Sequence, residues 1–243
     1  MNDLAKRMKL YEQSYNFRIP DRLPVIIRLD GKCFHTFTAH MSRPFDTYFV
    51  EWMEAIALHL VQDIQGAVLA YVQSDEISIL LWPWLKHESR PWFENELNKL
   101  LSVSASMATA YAYRYRHTLL GVEQGLPIFD SRVLVMNTDE VINYFIWRQQ
   151  DWERNSLQML AQSHYSHKEL HGKKGPDMHE MLHAKGVNWT ELPTHLKEGT
   201  VVHHHVIDGI FTRVKIEAAP RFVENRSFIE EKMNVQDIQC KDN

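Results

Sequence analysis

The sequence predicts an α+β fold built around an antiparallel sheet in the split βαβ, ferredoxin-like arrangement. Between residues 20 and 137, short apolar runs alternate with segments of helical periodicity in the order β-α-β-β-α-β. Two of these runs, residues 67–72 and 77–81, are separated only by Gln73-Ser74-Asp75-Glu76, a polar segment typical of a hairpin turn. A hairpin followed by a second helix and a further strand completes the predicted arrangement.

The first strand and the first helix of this core have clear boundaries in the sequence. Residues 25–29 form an aliphatic, β-branched run that stops at Asp30-Gly31-Lys32. A helix is predicted over residues 46–62, and Gly66 ends it, as a C-terminal glycine commonly does. An earlier amphipathic segment, residues 3–15, is predicted to form a helix that packs on the sheet.

The second half of the core contains one long helix and one strand. Ser89 is the predicted cap of that helix, Pro91 lies in its first turn, and it continues to about residue 116. A strand over residues 132–136 follows it. Thr138 then caps a further long helix, whose acidic first turn suits the positive end of the helix dipole.

We predict a single catalytic domain that spans residues 1–243. Its core covers about residues 20–137, and a helical and β-hairpin extension covers about 138–220, followed by a charged tail at 221–243. The hairpin of the extension, residues 201–216, is predicted to turn at Asp208-Gly209.

The composition excludes several classes of protein. The chain has 243 residues, is 44% hydrophobic and contains no apolar run long enough to span a membrane. Its two cysteines, Cys33 and Cys240, show no zinc spacing and predict a reducing, cytoplasmic compartment. A net charge of −4 argues against a protein that coats nucleic acid non-specifically. The run His203-His204-His205 is interpreted as partly exposed strand surface.

Carboxylates follow two of the predicted strands at what should be the same end of the sheet. Asp30 ends the first strand, and Asp75 with Glu76 lies at the hairpin tip. Clustered carboxylates repel each other unless a positive group lies between them, and a divalent cation is the usual solution. Each motif alone is also an ordinary polar turn, because Asp-Gly and Ser-Asp-Glu are common turn sequences.

Five segments taken together resemble the tRNA-histidine guanylyltransferase family. They occur in the order typical of that family between about residues 23 and 200. The segments are residues 28–35 (RLDGKCFH), 43–46 (RPFD), 73–78 (QSDEIS), 129–132 (FDSR) and 144–151 (YFIWRQQD).

This resemblance implies a polymerase-palm-like fold and a two-metal nucleotidyl-transfer site. Asp30 and Asp75 would bind two Mg²⁺ ions, the Gly31 carbonyl would be an extra ligand, and Glu76 would complete the catalytic set. The residues implied to bind nucleotide are Lys32, Cys33, Phe34, His35, Arg43, Asp46, Ser74 and Lys99. Those implied to contact tRNA or nucleotide are Arg132, Arg148, Gln149, Asp151 and Asn155.

The sequence departs from the family pattern at two places. Glu96 replaces a family arginine one helical turn before Lys99, so a second phosphate site is expected to be built differently. The segment at residues 153–159 retains only Asn155 and Leu157 of the eukaryotic motif associated with histidine tRNA. This loss favours the guanylyltransferase-like branch, which repairs truncated tRNA 5′ ends against a template.

The resemblance implies template-dependent 3′–5′ nucleotide addition to the tRNA 5′ end. ATP would adenylylate a 5′-monophosphate, GTP or another nucleotide would then be added, and the protein would work as a homotetramer, a dimer of dimers. Two alternatives stay open. A palm-type nucleotidyl cyclase would use the same acids on a free nucleotide, and a non-catalytic RNA-binding protein would not need them.

Overall fold

A computed structural model of the chain describes residues 3–83, 90–121, 125–207 and 210–233. In these ranges the structure contains a six-stranded sheet whose order is β4-β1-β3-β2-β5-β6, with every neighbouring pair antiparallel. The first four strands have the order expected of a split βαβ sheet, so the predicted fold class is confirmed. The strands are β1 (Val25–Gly31), β2 (Ala67–Gln73), β3 (Glu76–Leu81), β4 (Phe129–Val135), β5 (Thr200–Ile207) and β6 (Ile210–Ala218).

The sheet is covered on both faces, which explains the nearly continuous apolar character of its central strands. On one face, α3 (Thr47–Asp63) and α4 (Leu97–Tyr115) pack against the odd-numbered side chains of β1, Val25, Ile27 and Leu29. On the other face, α5 (Thr138–His164) and α9 (Ser227–Met233) pack around Ile26, Leu69 and Leu80. The remaining helices are α1 (Asp3–Gln13), α2 (Phe34–Phe37), α6 (His167–Leu170), α7 (Gly175–Ala184) and α8 (Thr194–Glu198).

The predicted helical extension and hairpin are present, although their turn at Asp208-Gly209 lies outside the described residues. The C-terminal half of α5 packs with α6 and α7 through a small separate core that includes Leu157, Leu170 and Leu182. Strand β5 pairs with β2 and so extends the central sheet. No helix in the described part of the chain combines the length and apolar character needed to cross a membrane.

Three predicted helix boundaries or packings are wrong. Helix α4 begins at Leu97 instead of near Pro91, because Phe93, Glu94 and Asn95 have left-handed backbone conformations with φ of 49°, 51° and 58°. The side chain of Asn137, not Thr138, caps α5 by accepting a bond from the Glu140 amide. Helix α1 has no buried residue, so it does not pack on the sheet. The predicted cap Ser89 lies outside the described residues.

Candidate active site

Asp30 and Asp75 lie next to each other at one end of the central sheet. Asp30 occupies the end of β1, Asp75 the turn between β2 and β3, and the amide of Gly31 donates to the Asp75 carbonyl at 3.1 Å. Burial, followed by the negative charge of Asp30, raises the pKa of Asp75 to about 6. Burial and the nearby Asp130 raise the pKa of Asp30. We call Asp30 and Asp75 the acid pair; their mutual repulsion favours a bound cation.

Gly31 is required at this point because an aromatic ring lies directly against its Cα. A Cβ built on Gly31 would lie 2.4 Å from Cγ of Phe34. The Phe34 ring cannot easily move, because it is 3% exposed and packs against Phe37, Trp52 and Phe129. A glycine therefore holds the β1 terminus in close contact with the aromatic cluster beside the acid pair.

Replacing Gly31 by alanine should destabilise the protein by about 1–3 kcal/mol, the usual cost of overpacking a core. The urea midpoint of unfolding measures this loss. Gly175→Ala is the control, because a Cβ on Gly175 would have its nearest contact at 3.8 Å, from Leu157. If the two variants unfold at the same urea concentration, close packing against Phe34 is not the reason for glycine at position 31.

A cavity of about 370 Å³ opens beside Asp75. Its wall is formed by the turn after β1, the start of α3, the β2–β3 turn, α5 and α8. Predicted nucleotide-binding residues in the wall are Cys33, Phe34, His35, Arg43, Asp46 and Ser74. Further lining residues include Gln73, Trp152, Met159, His195 and Thr200. This volume lies within the range typical of small-ligand sites.

The segment after β1 offers fewer groups to a phosphate than the sequence predicts. The Lys32 amide already donates to the Ile128 carbonyl at 2.8 Å, so only the exposed ammonium of Lys32 remains free. The Phe34 side chain belongs to the core. Exposed Cys33 and His35 line the cavity, but the Thr36 and Phe37 amides of α2 already donate to the Cys33 carbonyl at 3.0 and 3.5 Å.

Asp46 has a structural role in addition to its position in the cavity wall. Its two carboxylate oxygens accept bonds from the Phe49 amide at 3.0 Å and the Ser42 amide at 2.9 Å, which caps α3. Burial raises the pKa of Asp46, but these amide bonds outweigh burial and the pKa is lowered. Arg43 is exposed at the cavity wall and has no carboxylate partner in the described part of the chain.

Lys99, for which the resemblance implies nucleotide binding near a second phosphate site, is separated from the acid pair along α4. The Thr109 hydroxyl contacts the amide of Phe129, which pairs with Gly31, whereas Lys99 lies ten residues earlier in α4. At 1.5 Å per residue this places Lys99 about 15 Å away along the helix. Its ammonium forms an ion pair with Glu96 at 2.9 Å. The glutamate that departs from the family pattern therefore neutralises this lysine.

Glu76 is not available to act with the acid pair, and its predicted catalytic role is corrected. Arg148 donates from Nε and Nη2 to the two Glu76 carboxylate oxygens, each at 2.8 Å. Gln73 and Ser78 also donate to Glu76, at 3.0 and 3.3 Å. Glu76 and Arg148 are both 8% exposed, so the pair forms a buried link between β3 and α5.

Arg148 and Gln149 are likewise corrected from RNA-contacting residues to internal ones. The Gln149 amide donates to the carbonyls of Glu198 and Pro220 at 3.1 and 2.9 Å, and its oxygen accepts from the Phe222 amide at 2.7 Å. Gln149 is 3% exposed and fastens the segment after β6 to α5. Asp151 and Asn155 remain at the surface, where their contact with RNA stays a prediction.

Arginines flank the acid pair on the α5 side of the sheet. In the β1–β4 register, Arg28 lies opposite Arg132, and Asp30 lies opposite Asp130. Arg28 is two residues before Asp30 and therefore shares its face of the strand. No role was predicted for Arg28, although the two-residue period of a strand is the pattern that identifies it. Arg132 is exposed and lies 3.8 Å from the Asp130 carboxylate.

Comparison with known proteins agrees with this geometry. A family model for tRNAHis guanylyltransferase (Thg1) matches residues 5–137. The chain belongs to the tRNAHis guanylyltransferase family. The enzyme from Debaryomyces hansenii is 31% identical over 80% of this chain and 78% of its own length. A probable human tRNA(His) guanylyltransferase is 29% identical over 78% of this chain and 67% of its own length.

Two solved structures extend the likeness over nearly the whole chain. One is a bacterial tRNA(His) guanylyltransferase (Thg1)-like protein in complex with ATP, 40% identical with a TM-score of 0.90. The other is a bacterial Thg1-like protein in complex with GTP, 36% identical with a TM-score of 0.81. In each comparison 96% of this chain and 100% of the other are covered.

Membership in the Thg1 family confirms the predicted palm-like fold and nucleotidyltransferase class. The part matched by the family model contains the acid pair and the arginines of β1 and β4. The assignment of individual site residues stays a prediction, as do the repair branch and the single-domain organisation.

Proposed function

We propose that this chain adds nucleotides in the 3′–5′ direction to the 5′ end of a tRNA, copying the opposite strand. The observation that carries this proposal is the acid pair, which lies beside a cavity of nucleotide size. The family and the nucleotides bound by the two bacterial Thg1-like proteins support tRNA, ATP and GTP as the substrates. The altered segment at 153–159 favours 5′-end repair over histidine tRNA maturation.

The proposed reaction has two steps, adenylylation of the RNA 5′ end and nucleotide addition. The RNA 5′-monophosphate attacks the α-phosphorus of ATP, pyrophosphate leaves, and the RNA 5′ end carries AMP. The 3′-hydroxyl of an incoming nucleotide then attacks the same 5′-phosphate, AMP leaves, and a new phosphodiester forms. Exposed Arg43 and Lys32 would neutralise phosphate charge, and the cavity would hold the nucleoside.

The acid pair fits magnesium by the chemistry of its donors. Mg²⁺ commonly takes one or two protein carboxylates and completes its shell with phosphate and water. In the described part of the chain no group of three or more His, Cys, Asp or Glu side chains forms a metal site, and phosphate oxygens and water would complete the shell around the ions. When bound, the ions would supply activation of the attacking oxygen and stabilisation of the leaving group. Asp30 and Asp75 would hold them, with the Gly31 carbonyl as an extra ligand.

We also propose a homotetramer located in the cytoplasm. Large apolar side chains on the surface of α1 support an assembly, because Leu10 and Tyr11 are 66% and 69% exposed. Cys33 is an exposed free thiol, which supports a reducing compartment.

A truncated tRNA tests the proposed reaction. The purified protein is incubated with a tRNA that lacks its first nucleotide and carries a labelled 5′-monophosphate, together with ATP, Mg²⁺ and all four nucleotides. We expect extension by the base complementary to the opposite strand, and none with Asp30→Asn. Asp63→Asn is the control, because Asp63 is exposed and contacts Tyr111 outside the cavity. Absence of extension would contradict the proposal, and a cyclic nucleotide product would support the cyclase alternative.

A further inference from the structure

An exposed aromatic ring lies on the same sheet face as Asp30. Trp147 is on α5 and is 48% exposed, whereas its neighbours Phe145 and Arg148 are buried. The Trp147 ring centre lies 4.6 Å from Cζ of Arg148 and 5.9 Å from Cζ of Arg28. Tyr144 packs edge-on against the ring at 5.8 Å. The ring is therefore held from several sides while about half of its surface remains open.

This ring is close to the acid pair but outside the cavity. Arg28 is two residues before Asp30 on β1, which corresponds to about 7 Å along the strand. None of Arg28, Asp30 and Trp147 lines the cavity beside Asp75. The acid pair thus lies between the cavity and a surface that carries Trp147 and the exposed guanidinium of Arg132, with the mostly buried Arg28 beneath it.

We propose that Trp147 is a stacking platform for one nucleobase beside the reacting 5′ end, an inference that rests on the proposed function. Every nucleobase has a flat face that stacks on an aromatic ring, and truncation of such a ring weakens binding by about 5- to 150-fold. The exposed guanidinium of Arg132, opposite Arg28 in the β1–β4 register, suits a phosphate attached to that base. The base belongs either to the RNA strand or to a free nucleoside triphosphate.

The contacts of the ring also explain why the platform is rigid. The Arg148 guanidinium, which lies beneath the Trp147 ring, is held in place by its two hydrogen bonds to Glu76. A side chain that is already held loses little conformational freedom when a base stacks on it. Arg28 lies 4.0 Å from Glu76 and connects the same ion pair to β1.

The test measures stacking directly, without requiring catalysis. A truncated tRNA with 2-aminopurine at its 5′ position is titrated with protein, and the fluorescence quenching and the affinity are recorded. A parallel titration uses 2-aminopurine riboside triphosphate. We expect quenching of one of the two probes by the wild type and by Trp147→Phe. Trp147→Leu should remove that quenching and weaken binding of that probe about 5- to 150-fold.

The matched control is Tyr113→Leu. Tyr113 is also 48% exposed and also lies against an arginine, Arg116 at 3.9 Å, but it belongs to α4 on the opposite side of the sheet. This variant should bind both probes like the wild type. The proposal is overturned if Trp147→Leu quenches and binds both probes normally, or if Trp147→Phe is as defective as Trp147→Leu. Because the readout is binding, a failure of the proposed catalytic function would appear separately, as absence of extension.

Discussion

Asp75→Asn should reduce nucleotide addition by at least about a thousandfold and, without magnesium at pH 8, should raise the melting temperature. Activity falls because one of the two carboxylates that we propose to hold the cations is lost. Stability rises because burial and the Asp30 charge disfavour the ionised Asp75 carboxylate, and asparagine removes that buried charge. Extension of a truncated tRNA and thermal unfolding in EDTA measure the two effects. Asp63→Asn should change neither.

Because burial raises the pKa of Asp75, the stability of the metal-free protein should fall as pH rises. The pKa of Asp75 is about 6 in the folded protein and about 3.9 in an unfolded chain. The folded state therefore binds the Asp75 proton more tightly than the unfolded state, and the protonated carboxyl stabilises the fold at low pH. Between about pH 4 and pH 6 this contribution is lost, so the free energy of unfolding of the metal-free wild type should fall by roughly 3 kcal/mol relative to Asp75→Asn. Equal slopes of stability against pH for the two proteins would contradict a buried, repelled Asp75.

Arg148→Met should lower the melting temperature by about 6–20 °C. The substitution leaves the Glu76 carboxylate buried without the guanidinium that donates to both of its oxygens. Breaking a buried ion pair in this way costs about 3–5 kcal/mol, and each kcal/mol shifts melting by about 2–4 °C for a protein of this size. Thermal unfolding followed by circular dichroism measures the change.

An exposed ion pair on the same helix provides the control for Arg148. Arg154 lies 2.6 Å from Asp151 but is 65% exposed, so Arg154→Met should cost less than about 1 kcal/mol. The double variant Glu76→Gln with Arg148→Met should recover much of the stability lost in Arg148→Met, because no charge is then left unpaired. If Arg148→Met is as stable as Arg154→Met but fails to bind tRNA, Arg148 contacts RNA and not Glu76.

The central sheet could be predicted from the sequence because the patterns that indicate strands and turns are local. The apolar run of β1 and the polar turn between β2 and β3 place Asp30 and Asp75 at one end of the sheet without knowledge of the rest of the fold. The two-residue period of a strand also places Arg28 on the face of Asp30, which the prediction did not use. These predictions depend only on period and turn chemistry, which distant packing cannot change once the apolar residues are buried.

The prediction that Arg148 and Gln149 contact RNA is wrong because the burial of a polar helix residue depends on distant elements. Glu76 from β3 and the backbone near Phe222 supply the partners of these two side chains. The position of Lys99 could not be predicted for a similar reason, since the contacts of Thr109 with Phe129 and of Ser104 with Ser131 fix where α4 lies along the sheet. Left-handed Phe93 could not be predicted, because non-glycine residues seldom adopt that conformation.

Counting bound metal ions tests the central role of the acid pair most directly. Electron paramagnetic resonance with Mn²⁺ and a non-hydrolysable ATP analogue gives the number of ions bound per chain. We expect about two for the wild type and for Asp63→Asn, and a loss of binding for Asp30→Asn and Asp75→Asn. Unchanged Mn²⁺ binding in both acid-pair variants would contradict the account, because the catalytic cations would then lie elsewhere.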